Sequence, residues 1–259
     1  GDGAAGAGIG VDSGLPDFRS NNGFWKTYPA LAAAQLDFTE VASPLTFERD
    51  PELAWGFYGH RLKMYRDTEP HQGFSILKEW AQAAPMGAWI FTSNVDGAFQ
   101  KAGFSQDAIH ECHGSIHSMQ CMDDCQSLLW PADDFKPDVD VEKCRLLSAL
   151  PTCPSCGGLA RPNIVMFGDW NWNPTRTEKQ RHKEAAWLEK LESSRGKVVV
   201  VEMGAGSHIP SVRQFSHRRS QRYGGCIVRI NPREFAVPSS MDVAIPTGAL
   251  EALRGIRAA

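Results

Sequence analysis

Gly6-Ala7-Gly8-Ile9-Gly10, running on through Val11-Asp12-Ser13-Gly14-Leu15-Pro16-Asp17-Phe18-Arg19-Ser20, is the stretch that decides how this 259-residue chain folds. Glycine at every second position lets main-chain N–H groups approach a pyrophosphate, because a side chain there would block the contact. Taken alone, the triplet fits an ordinary turn as well. Downstream of it, residues 87–92, 197–203 and 226–230 are short apolar runs that end at turn signals. They read as strands buried on both faces of a parallel sheet. Apolar residues recur at helical spacing from Gln180 to Leu191, and again from Pro51 to Arg66 behind a proline suited to a first helical turn. Strands alternating with helices predict an α/β fold with a doubly wound parallel sheet.

The composition, 42% hydrophobic and 22% charged with a net charge of −3, is that of a globular chain with no call for nucleic acid. No apolar run reaches the roughly 20 residues of a membrane helix, and the start carries no signal-peptide pattern, so a cytoplasmic protein without a membrane partner is expected. The chain starts without Met, almost on top of its glycine motif. Its natural N-terminus and the first strand of the sheet are therefore expected to be missing, and the chain to be unstable without them. Seven cysteines, an odd number, fit a disulfide framework poorly. Cys121-x3-Cys125 and Cys153-x2-Cys156 instead offer four thiolates, the number and softness of a closed, structural zinc site. They lie in a stretch of different character, 116–162, which holds five of the cysteines and several prolines and acids.

Beyond the glycines, Ser13-Gly14-Leu15-Pro16-Asp17-Phe18-Arg19 resembles the Ser-Gly-Ile-Pro-Asp-Phe-Arg signature of the sirtuin (Sir2) family. The resemblance continues in order. Thr92-Ser93-Asn94-Val95-Asp96-Gly97 is similar to Thr-Gln-Asn-Ile-Asp-Gly, and Glu111-Cys112-His113-Gly114-Ser115 to Glu-x-His-Gly-Ser. The two cysteine pairs follow, then Arg161-Pro162-Asn163-Ile164-Val165-Met166-Phe167-Gly168, and finally Ile230-Asn231-Pro232. The family implies a Rossmann-like sheet assembled from 1–30, 85–115 and 163–259. A helical insert, 31–84, and the zinc module, 116–162, would form a smaller domain.

It implies, further, an NAD-dependent protein-lysine deacylase that transfers the acyl group to ADP-ribose, with an acyl-lysine protein as partner and NAD as co-substrate. The acyl oxygen attacks the nicotinamide ribose, nicotinamide leaves, a general base activates a ribose hydroxyl, and water frees the lysine. His113 is the candidate base, since imidazole titrates near neutrality. Asn94 and Asp96 would serve the nicotinamide ribose and carboxamide, although the pair also fits an Asx turn capping a helix. Gly6, Ala7, Gly8, Asp17, Phe18, Arg19 and Ser93 are expected to bind the cofactor. So are Gly204, Ala205, Gly206 and Ser207, in the place of the family's Gly-Thr-Ser loop, and Asn231. The remaining histidines, His60, His71, His117, His182, His208 and His217 among them, are assigned to surface, turn or packing roles.

Tyr58-x-x-Arg61 places two side chains on one helical face. Family members that remove succinyl, malonyl or glutaryl groups carry a Tyr-x-x-Arg at this place, and a guanidinium fork suits a carboxylate. Ala30 and Ala34 resemble the alanines that widen the pocket in that subclass. The chain also departs from the pattern. Ser93 replaces Gln and reaches less far, Gly10 replaces Ser, and the loop after Gly204 is one residue short. The first cysteine pair has one residue more than usual, which makes Cys144 the alternative to Cys125. An NAD glycohydrolase or ADP-ribosyltransferase on the same fold is the alternative activity, one that has no use for Tyr58 and Arg61.

Overall fold

The computed structural model describes residues 1–18 and 21–259. Strands β1 (Asp2–Ala5), β2 (Trp89–Thr92) and β3 (Ile109–Glu111) open the larger sheet. The chain then leaves it for β4 (Gly114–Cys121), β5 (Leu129–Pro131), β6 (Val139–Asp140), β7 (Arg145–Leu146) and β8 (Ala160–Ile164). It returns with β9 (Val199–Met203), β10 (Cys226–Ile230) and β11 (Val243–Ile245). The larger sheet is ordered β11-β10-β9-β1-β2-β3, and every neighbouring pair is parallel. Chain order thus reverses between β1 and β9, the point at which open α/β sheets bind ligands.

The first strand is present, against the expectation from the sequence, and it is central. Asp2 pairs with Trp89 on one side and Val200 on the other, and Ala5 with Thr92 and Met203. Asp2-Gly3-Ala4-Ala5 has no bulky apolar residue to announce a strand. It works because Ala4 and Ala5 are fully buried where helices cover both faces, and the premise for instability goes with the correction. Asp2 is buried opposite Arg219, 3.0 Å away, and burial pushes its carboxyl up to about 7.

Between β1 and β2 run α1 (Asn21–Thr27), α2 (Pro29–Ala33), α3 (Phe38–Val41), α4 (Pro44–Arg49), α5 (Pro51–Asp67) and α6 (Gln72–Ala83). Later come α7 (Ala98–Lys101), α8 (Thr175–Ser193), α9 (Ser211–Arg222) and α10 (Ala249–Ala258). The strands' alternation divides two cores. Ala5, Ile90 and Met203 face Phe74 and Ile76 of α6 and Leu253 of α10, whereas Ala4, Phe91 and Val200 face Leu191 of α8 and Phe215 of α9. Among the described residues, no helix is long and apolar enough to cross a membrane.

A third core joins the first five helices to the small sheets: Phe24, Tyr28, Phe47, Trp55, Phe57 and Leu62 pack with Met119, Cys144 and Ala160. β4 pairs antiparallel with β5 and β8, and β6 with β7. The α5 backbone approaches so closely that a Cβ on Gly56 would lie 2.2 Å from the Cys144 carbonyl oxygen. Cys144, buried there, is committed to this packing.

Candidate active site

Register alone brings three loops together. Because Ala5 pairs with both Thr92 and Met203, the residues that follow, Gly6, Ser93 and Gly204, leave the sheet side by side. The Gly6 N–H donates to the Met203 carbonyl at 3.0 Å, and the Gly8 N–H to that of Gly204 at 3.1 Å. A Cβ on Gly6 would sit 2.8 Å from the Gly204 carbonyl oxygen. Gly204 adopts φ +61°, and a Cβ there would lie 2.4 Å from the Gly8 carbonyl carbon. Backbone meets backbone with no room for a side chain.

The 204–207 loop is pinned from below. Asn231, at the end of β10, donates through Nδ2 to the Ala205 carbonyl at 3.0 Å, and Arg213 reaches the same oxygen at 3.0 and 3.1 Å. The Ser207 N–H and hydroxyl both go to the Glu234 carboxylate. Above these loops opens a cavity of about 1000 Å³. It is lined by Gly6, Ala7, Asp17 and Phe18 after β1, by Gly204, Ala205, Gly206 and Ser207 after β9, and by Ser93, Asn94, Asp96 and His113 after β2 and β3. Gly8 and Asn231 stand behind the wall and shape it without reaching the space. Arg19 lies outside the described residues.

Asn94 follows β2, its N–H bonded to Thr92 Oγ1 at 3.0 Å and its Nδ2 donating to the Gly6 carbonyl at 3.1 Å. Asp96 both lines the cavity and makes the Asx turn, accepting the Ala98 N–H at 2.9 Å. Burial raises its carboxyl above the ordinary range. His117 Nε2 meets the Asp96 carbonyl at 2.7 Å, so this packing histidine braces the turn. His113, half-buried just after β3, has Nε2 3.4 Å from the Ser211 hydroxyl at the start of α9. Burial lowers its pKa below 6.5, with a hydrogen bond to the Ser93 backbone acting the other way. Glu111 stays out of the cavity: it is buried, and its carboxylate is held by Arg176 at 2.5 Å and Gln180 at 3.0 Å.

On α5, Tyr58 and Arg61 face the same cavity. The guanidinium lies 5.2–5.9 Å from the ring centroids of Phe18, Phe57, Tyr58 and Tyr65. Its Nε and Nη2 donate to the Tyr65 hydroxyl at 3.0 and 2.8 Å, and no salt bridge reaches it among the described residues. Sequence reading missed Tyr65, although an aromatic four residues after an arginine on one helix is a signal for such a contact. Ser211 had no signal at all. Ala30 is half-buried and Ala34 exposed, and neither lines the cavity.

Cys121, at the end of β4, lies 3.6 Å (Sγ to Sγ) from Cys156, and Cys125 lies 3.7 Å from Cys153. All four sulfurs are within 4.8 Å of one another. Tetrahedral zinc with Zn–S distances of about 2.3 Å requires sulfurs about 3.8 Å apart, so the set fits the ion with no position left for water. The N–H groups of Ser155 and Gly158 point at Cys153 and Cys156, both at 3.4 Å. Backbone donors, that of Cys156 first, bring the Cys153 thiol down to about 7. The longer spacing of the first pair does not keep Cys125 out.

The family model for the Sir2 family matches residues 6–194. This chain belongs to the Sir2 family. An NAD-dependent protein deacylase of Pyrococcus furiosus is 31% identical over 241 residues, 92% of this chain and 83% of the relative. The mitochondrial NAD-dependent protein deacylase sirtuin-5 of Danio rerio is 34% identical over 178 residues, 63% of this chain and 55% of that one. Among solved structures, a Sir2 homolog–NAD complex superposes with a TM-score of 0.72 over 99% of this chain and 90% of the other, at 24% identity, a likeness of fold.

Two outcomes follow for this Sir2 chain. Because burial lowers its pKa, His113 keeps its neutral, proton-accepting form to lower pH, so its imidazole, titrated by NMR, should have its midpoint below 6.5. A titration with that midpoint above 7 contradicts the burial of His113. Purified protein should hold one zinc per chain by elemental analysis, and Cys153→Ser should lower both zinc content and Tm, since binding and folding are one equilibrium in such modules. Folded protein free of zinc contradicts the assignment.

Proposed function

We propose that this chain is an NAD-dependent protein-lysine deacylase whose pocket favours acyl groups that end in a carboxylate. The observation that carries the preference is Arg61, a guanidinium enclosed by four aromatic rings with no carboxylate paired to it among the described residues. The rings and the Tyr65 hydroxyl hold the cation in its charged form, and no carboxylate is in salt-bridge contact with it among the described residues. A succinyl, malonyl or glutaryl carboxylate entering the cavity would complete it, and the planar fork still has an Nη1 edge to offer.

The remaining roles are assigned from the same cavity. The Gly6–Ala7 and Gly204–Gly206 backbones leave space for a pyrophosphate, with Asp17 and Phe18 lining the same cavity. NAD, when bound, supplies an electrophilic ribose carbon with nicotinamide as its leaving group. Asn94 and Asp96 orient the amide and ribose at that end. Val95, Ile164 and Met166 give an apolar slot to the lysine side chain and keep water from it. His113 is neutral at physiological pH, so its Nε2 can take a proton from a ribose hydroxyl that replaces the Ser211 hydroxyl as its partner. Tyr65 holds the guanidinium, which lines the same cavity. The short Ser93 leaves more room beside His113 than a longer amide would.

The test is Arg61→Met, which keeps the length of the side chain and removes the charge. A charge-assisted hydrogen bond contributes about 1.5–3 kcal/mol, so the ratio of kcat/KM for succinyl over acetyl versions of one peptide should fall by about 10- to 100-fold. The ratio cancels any general loss of folding. An unchanged ratio removes the acidic-acyl preference and leaves the deacylase reading standing.

A further inference from the structure

Arg61 spends one edge of its guanidinium on a hydroxyl. Its Nε and Nη2 donate to a single oxygen, that of Tyr65, at 3.0 and 2.8 Å. Those two N–H groups point the same way and form one of the edges by which the fork grips a carboxylate. With that edge taken, the parallel N–H groups of Nη1 and Nη2 at the tip of the fork are left for an anion. The Tyr65 oxygen is filled in the same manner. Having accepted two bonds, it retains one capacity, its own proton. Among the described residues no acceptor takes that proton, and none takes a proton of Nη1.

Tyr65 is placed for more than bracing. Tyr58, Arg61 and Tyr65 follow one another at three- and four-residue steps along α5, on one face of the helix, and all three line the large cavity. Tyr58 meets the guanidinium with its ring, whose centroid is 5.7 Å away, and no hydrogen bond joins its hydroxyl to Arg61. Tyr65 offers ring and hydroxyl together, the ring centroid at 5.5 Å. Burial raises the Tyr65 hydroxyl above the usual phenol range, with Arg61 opposing and Asp96 adding to it, so the group is a protonated donor at neutral pH. Accepting from a cation polarises that O–H and strengthens what it gives to an anion. Asp96 does not take the proton: its carboxylate accepts the Ala98 N–H at 2.9 Å and no bond from Tyr65.

We propose that Tyr65 is a specificity-determining residue of the acyl pocket, its hydroxyl donating directly to the terminal carboxylate of a succinyl, malonyl or glutaryl group that lies on the Nη1–Nη2 tip of Arg61. The proposal rests on the acidic-acyl reading of the cavity and adds a third donor to it. A carboxylate has about four acceptor sites, so the two N–H groups of the tip leave places that another donor or water must fill. Tyr65, 2.8 Å from Nη2, brings its proton beside that tip. An acetyl group has no such oxygen and gains nothing from the hydroxyl.

The experiment is a double-mutant cycle on Tyr65→Phe and Arg61→Met, read as the ratio of kcat/KM for succinyl over acetyl versions of one peptide. Phenylalanine keeps the ring against the guanidinium and removes only the hydroxyl. Tyr65→Phe alone should lower the ratio about 10- to 100-fold, the range of a hydrogen bond to a charged group. Made in the Arg61→Met protein, the same change should lower the ratio further, by about threefold or more, because the hydroxyl acts on the substrate itself and not only through Arg61. If Arg61→Met lowers the ratio but Tyr65→Phe leaves it unchanged, or has no further effect in the Arg61→Met protein, the donation by Tyr65 is overturned and the role of Arg61 stands. A ratio that moves with neither substitution overturns the acidic-acyl reading as well.

Discussion

The structure hangs on the contact between two backbones, Gly6–Gly8 and Gly204. Each strand behind them is in register with β1, so the loops leave the sheet touching, with hydrogen bonds of 3.0 and 3.1 Å and no space for a Cβ between them. Such an approach is possible only for glycine, and it spends the Gly6, Gly8 and Gly204 N–H groups on backbone carbonyls at the topological switch point. The cavity, the placing of Asn94 and Asp96 in its lining and the entry of α9 beside His113 all follow from it. So does the bracing behind the wall, where Asn231 and Arg213 converge on the Ala205 carbonyl.

The second design element is the way the small sheets tie chemistry to metal. β4 begins at Gly114, directly after His113, and ends at Cys121, a sulfur of the four-cysteine cluster. Its partner β8 leads straight into Val165 and Phe167, which line the cavity. Eight residues of strand at about 3.3 Å each separate the cluster from the site, too far for the metal to take part in the reaction and close enough to fix the wall. The aromatic core of the first five helices packs with the same strands and carries Arg61, which lines the same cavity.

Much of this was legible because motif and strand end coincide. The Asn94 to Asp96 stretch follows a strand that local sequence marks, whereas the glycine loop and His113 were marked by their motifs alone, since β1 and β3 were not among the runs read as strands. What escaped notice depended on tertiary context. β1 is four residues of small or polar type, made a strand by neighbours on both sides rather than by its own propensity. Asp96 could be read as a turn former or as a ligand-facing group, and the packing shows that it caps the turn and also lines the cavity. Tyr65 and Ser211 have ordinary sequence surroundings and matter through what lies opposite them. Cys125 and Cys144 were separable only in space, since Cys144 is spent against the close approach of Gly56.

The central claim is that one cavity couples cleavage of NAD to removal of an acyl group. It is tested most directly by following nicotinamide release and the loss of succinyl groups in the same reaction, with and without a succinyl-lysine peptide. The account predicts one nicotinamide per freed lysine throughout the time course and no appreciable release when the peptide is omitted. Nicotinamide released at the same rate without peptide, with the succinyl group left in place, would contradict it and identify the cavity as that of an NAD-cleaving enzyme with no acyl-lysine substrate.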